Sequence, residues 1–181
     1  ASGITNIWGR DSVSAASATR VLADAFDDRF LLGLGVSHQR QVDPRGHVYG
    51  KPVATMRAYL DAMDDDPFVS PDQPDVAPRP PVSRVLAALR PPMLKLAAER
   101  AQGAHTYLVP VEHTRRAREL MGPDALLIVE QKVVLDTAPS EAARRARHAL
   151  AWYLDTPNYR KNLEWLGFDE SDIDGGGSAR R

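Results

Sequence analysis

The chain has 181 residues, enough to bury the core of one ordinary domain. Its 23 basic and 24 acidic residues nearly cancel, so no charge field argues for nucleic acid or an anionic membrane as partner. Cysteine is absent, which excludes disulfides, thiolate catalysis and cysteine-ligated zinc or iron–sulfur centres, and the composition fits a reducing cytoplasm.

In chain order, hydrophobic runs alternate with helical periodicities, the mark of βαβ units around a parallel sheet. A first strand is expected at residues 3–8. A helix over 14–27 follows, with Ala15, Ala18, Val21, Leu22 and Ala25 at three- and four-residue spacing. The apolar run 30–36 reads as a buried second strand, and Pro52 opens a helix that carries Val53, Met56, Tyr59, Leu60 and Met63 on one face. Residues 64–82 hold three consecutive aspartates and six prolines, which precludes regular hydrogen-bonded structure and predicts an excursion over the surface. Strands are then expected at 83–89, 104–109 and 126–135, with helices at 91–100 and from Val111 to Gly122. A helix at 140–154 and a shorter one at 158–167 close the pattern.

Five such strands fit either an open doubly wound sheet or an arc of an eight-stranded barrel. A full barrel needs about 250 residues, so in the second case roughly three strand–helix units lie outside this sequence. The chain opens on Ala1 and closes on a glycine-rich stretch ending in Arg180 and Arg181, as an internal piece of a longer polypeptide would. No run of eighteen apolar residues occurs, and the amino end lacks the basic and apolar regions of a signal peptide.

Ligands of parallel α/β proteins bind at the carboxyl ends of strands, so the candidates lie where each hydrophobic run stops. The richest such place is residues 29–38. Gly33 and Gly35 permit close approach of a backbone or a flat cofactor, and Ser37 and His38 add polar atoms at the mouth. His38 is the best-placed proton donor or hydrogen-bonding group. Asn6 and Trp8 end the first strand and are read as cofactor or substrate wall, or as a turn residue and a core aromatic. Arg90, Tyr107, Glu130 and Gln131 end the later ones. An anion could sit beside Arg90, although Pro91 and Pro92 bring no N–H to that helix start. Histidines show no metal-ligand spacing, and no nucleophile elbow, dinucleotide fingerprint or phosphate loop is present. Backbone glycines, aromatics, amides and one histidine suit a protein that positions a redox cofactor and leaves the hard chemistry to it.

Residues 6–11, 29–38, 49–52 with 56–61, and 86–104 together resemble the luciferase-like monooxygenase superfamily, most closely its actinobacterial deazaflavin-dependent branch; residues 112–122 and 157–160 extend the likeness. The resemblance implies a (β/α)₈ barrel of which this chain carries the third to seventh strands. It also implies coenzyme F420 as cofactor, with FMN the alternative, and hydride transfer to or from a small organic substrate. Asn6, Trp8, Gly33, Gly35, Ser37, Arg90, Tyr107 and Gln131 are then expected at the cofactor and His38 in the chemistry. Arg90 departs from the small residue common at its position in the family. The other readings are an FMN-dependent monooxygenase and a noncatalytic barrel fragment that serves as an interaction module. A homodimer is compatible with the helical pattern.

Overall fold

The computed structural model describes residues 1–65 and 81–174. Five parallel strands, β1 (Thr5–Asn6), β2 (Leu32–Gly35), β3 (Arg84–Ala87), β4 (Gly103–Tyr107) and β5 (Leu126–Glu130), form one sheet in the order of the chain. The helices α1 (Ser12–Ala25), α3 (Pro52–Asp64), α4 (Pro91–Arg100) and α5 (Val111–Met121) pack each against the next. Between β2 and α3 lie α2 (Gln39–Val42) and a 3-10 turn at Asp43–Arg45. Helices α6 (Pro139–Leu154), α7 (Pro157–Leu166) and α8 (Glu170–Ile173) follow β5.

Sequential strand order settles the choice between the two architectures. Right-handed crossovers that always advance in one direction leave every connecting helix on the same face, whereas a doubly wound sheet reverses direction and covers both. The chain therefore has the arc of a (β/α)₈ barrel. Leu32 and Leu34 point to the helices and pack in a core with Met56, Leu60, Met63, Leu94, Leu96 and Ala97. Seven of these eight are at most 1% exposed, and each fully buried leucine or methionine contributes about 1.5–3 kcal/mol of transfer free energy. The alternate residues Gly33, Gly35, Ala87 and His105 lie on the opposite, inner face.

At the amino ends of the strands, Arg84 is 3% exposed and is held by Asp64 through two hydrogen bonds of 2.6 and 2.8 Å. Arg84 also donates to the Arg100 carbonyl, and Arg100 in turn bonds Asp64. A buried guanidinium needs such complete pairing. The cluster ties β3 to α3 and α4 at the end of the sheet away from the strand tips.

Helix boundaries agree with the periodicities to within two residues, apart from α2, the 3-10 turn and α8, which are too short to carry a period. All five strands are shorter than expected, β1 and β5 most of all. β1 pairs with β2 only through Thr5 and Asn6, because the chain turns at Asn6, where Gly9 N–H donates to its carbonyl. β5 stops at Glu130 rather than residue 135: its partner β4 ends at Tyr107, and Leu108 takes a left-handed φ of 50°, so nothing remains to pair with. Most of the expected excursion at 64–82 lies outside the described residues. Among the described residues, no helix is long and apolar enough to cross a membrane.

Candidate functional site

A cleft of about 410 Å³ opens at the carboxyl ends of β2, β3 and β4. This is the size range of small-molecule sites, roughly 300–1,000 Å³. Its floor is the inner face of the sheet: Gly35, Ala87 and His105. A side chain at Gly35 would overlap Ile4 Cδ1, so the glycine makes room for Ile4, which itself lines the cleft. His105 Nε2 stands 3.4 Å from Glu130 Oε2 across the β4–β5 pair.

The wall beyond β2 begins at Ser37, whose φ of 59° is left-handed. Such a conformation in a non-glycine residue costs of order 1–3 kcal/mol and is characteristic of functional sites. It is held from both sides. Ser37 Oγ donates to Gln41 Oε1 at 3.1 Å, and the Tyr49 hydroxyl donates to the Ser37 carbonyl at 3.1 Å. His38 follows in extended conformation at the start of α2. Its ring meets Trp152 edge-on at 5.8 Å and Tyr159 at 6.0 Å. Burial, and then the charge of Arg40, lower the His38 pKa, so the imidazole is neutral at pH 7.

The α6–α7 junction supplies the facing wall. Arg40 stacks over Trp152 at 3.8 Å and donates to the Trp152 carbonyl and to Thr156 Oγ1, which fastens the end of α6 to α2. Tyr153 meets Tyr107, Trp152 and Tyr159 edge-to-face at 4.9–5.4 Å. Burial raises the Tyr159 pKa strongly, so its phenol stays protonated. At the tip of β3, Arg90 reaches Asn158 Oδ1 at 3.5 Å, while its buried Nε has no partner. Behind that tip, the wholly buried His113 donates from Nε2 to the Leu89 carbonyl at 2.6 Å and packs edge-on against Trp165. Burial lowers the His113 pKa despite that bond, so this ring too is neutral.

Of the residues expected at a site from the sequence, Gly35, Ser37, His38, Arg90 and Tyr107 come together in the cleft. Five do not line it, among them Glu130, whose carboxylate faces His105 on the floor. Asn6 Oδ1 accepts from the Trp8 N–H at 3.0 Å and so satisfies its own turn. Trp8 donates from Nε1 to the Val36 carbonyl and stacks on His47 and Tyr49, one layer behind the wall. Gly33 lies under Ser2, whose Oγ accepts from its N–H, so the glycine admits the amino-terminal segment rather than a cofactor. Gln131 lies past the end of β5 and is exposed. Conversely, His105, Tyr49, Trp152, Tyr153, Asn158 and Tyr159 line the cleft and were not anticipated. The cluster Trp152, Tyr153 and Tyr159 was the available signal: three large aromatics within eight residues, across a helix break at Pro157.

A parallel arc with its aromatic cleft at the strand tips defines a barrel-type small-molecule enzyme. Residues 1–177 match the luciferase-like monooxygenase family, and the chain belongs to that family. Its function is accordingly that of an oxidoreductase of the luciferase-like class.

Proposed function

We propose that the chain is a deazaflavin-dependent oxidoreductase that exchanges a hydride with a small organic substrate held in the cleft between β2, β3, β4 and the α6–α7 junction. The observation that carries this reading is the neutral, half-buried His38 set among Trp152, Tyr159 and the strained Ser37 at the tip of β2. The donor set fits a flat polar ring. Aromatic walls offer stacking surface, and the unpartnered Arg90 Nε calls for an acceptor from outside the protein. Ser37 Oγ and Arg90 are the polar groups that would hold such a ring, with Gly35 and Ile4 beneath it.

When bound, a deazaflavin would supply hydride transfer at its ring carbon five, accepting the hydride when oxidised and donating it when reduced. The residues of the chain do the rest. The aromatic walls exclude water and fix the facing distance of the reactants. A ring nitrogen of neutral His38 takes up a proton from a substrate hydroxyl, or returns it in the opposite direction; the lowered pKa keeps the imidazole in its proton-accepting form at neutral pH. Tyr49 and Gln41 keep Ser37, and with it His38, in place.

Equilibrium titration of the protein with deazaflavin and with FMN, followed by oxygen uptake in the presence of each reduced cofactor, tests the reading. Saturable deazaflavin binding that His38→Ala weakens, without oxygen consumption, is the expected result. Tighter FMN binding with oxygen consumption would assign the chain to flavin monooxygenation instead. Binding of neither would favour a noncatalytic module.

A further inference from the structure

The mechanism above leaves one polar group in the cleft without a task. The Tyr107 and Tyr153 hydroxyls lie 3.1 Å apart, one donating to the other, so one of their two O–H protons is spent between them. Lys132 Nζ stands 5.7 Å from the Tyr107 ring centre and 5.1 Å from that of Tyr153. An ammonium only donates, so it cannot accept the remaining proton. Among the described residues no carboxylate bonds either hydroxyl, and Glu130, two residues before Lys132, is turned to His105. A phenolic donor with a positive charge over its ring is thus left for an acceptor brought by a ligand.

We infer that the Tyr107–Tyr153 hydroxyl pair, with Lys132 beside it, recognises an anionic oxygen at the edge of a planar conjugated substrate, as in an unsaturated or aromatic carboxylate. The rings of Tyr107 and Tyr153, in edge-to-face contact at 5.4 Å, offer apolar surface to the flat body of such a molecule. Their hydroxyls supply directed hydrogen bonds, which to a charged acceptor are about twice as strong as neutral ones. Lys132 is exposed, so its charge adds attraction and approach rate more than tight binding. The inference deepens the oxidoreductase reading by naming the substrate class of the same cleft, and it rests on that reading only for what happens after binding.

Calorimetric titration of the cofactor-free protein with cinnamate and with cinnamamide, equal in shape but different in charge, is the test. Cinnamate is expected to bind about tenfold tighter than the amide, as a charge-assisted hydrogen bond requires. Tyr107→Phe and Tyr153→Phe should each remove most of that preference, weakening amide binding much less than cinnamate binding. Lys132→Gln, a surface change that spares folding, should weaken cinnamate about threefold and flatten its salt dependence. Equal affinity for the two probes, no binding of cinnamate, or a preference that survives both tyrosine variants would overturn the inference. Failure of the deazaflavin titration would instead count against the cofactor reading and leave this result standing.

Discussion

Gly35→Ala and its rescue by Ile4→Ala probe how the cleft floor is built. The new methyl at position 35 would overlap Ile4 Cδ1 and lie 3.3 Å from Ala87 Cβ. Insertion of a methyl into a filled space costs about 1–3 kcal/mol. Ile4 is 36% exposed and the clash is with the end of its flexible side chain, so the lower part of that range, about 1 kcal/mol, is expected. Ile4→Ala removes the obstacle. In the double variant the two changes should therefore be non-additive, with about 1 kcal/mol recovered in a double-mutant cycle. At Gly33 the obstacle is the backbone carbonyl of Ser2, and Ser2 is itself bonded to Leu31 and Gly33, so Gly33→Ala should cost more than Gly35→Ala. Urea midpoints at unchanged m-value measure all four variants. Additive costs for Ile4→Ala and Gly35→Ala would refute the packing of Ile4 over Gly35, and with it the cleft floor as described.

Asp64→Ala should cost about 3 kcal/mol in urea unfolding, because it strands the buried Arg84 guanidinium with only carbonyl partners. Burial acts to raise the Asp64 pKa, but the Arg84 and Arg100 hydrogen bonds together hold it below the usual range. The contribution of the cluster is thus full above the unfolded carboxylate pKa and lost as pH falls through the folded value, and Asp64→Asn should flatten the acid limb of the stability profile. For His38 and His113 the sign is the same, in a higher pH window. Burial depresses both pKa values, so below about pH 6.5 the unfolded chain takes up protons that the native state refuses, and stability falls. His113→Gln, which keeps a donor for the Leu89 carbonyl, should reduce the loss of stability between pH 7.5 and 5.5; an unchanged slope would show that His113 is not buried as a neutral ring. Gly103 has a φ of 156° and no room for a side chain against the Leu126 backbone, so Gly103→Ala should lower the urea midpoint more than any other glycine substitution named above.

Much of the fold was legible because long periodic segments state their own burial. The apolar face of Met56, Leu60 and Met63 and the continuous run into Leu34 could be satisfied only by a helix over a buried strand. What the sequence left open was the choice between open sheet and barrel, since strand order is a property of the assembled sheet and not of any one segment. The grouping of Gly35, Ser37 and His38 in one cleft was legible because all three follow a strand tip. Gly33 and Asn6 lie outside the cleft, because a glycine beside a strand and an amide at its end serve a neighbouring backbone as well as a ligand. Trp152, Tyr153 and Tyr159 are visible in the sequence as an aromatic cluster, but where the α6–α7 turn docks them is a long-range contact that no local pattern encodes.

Hydrogen–deuterium exchange with and without deazaflavin tests the central claim most directly, that the carboxyl tips of β2, β3 and β4 form one cofactor-binding cleft. The account predicts protection on binding at residues 35–41, 87–93 and 105–109 and in the α6–α7 junction, with the Arg84–Asp64 end of the sheet unchanged. Protection confined to the Arg84 end or to α5, or a uniform response along the chain, would contradict it.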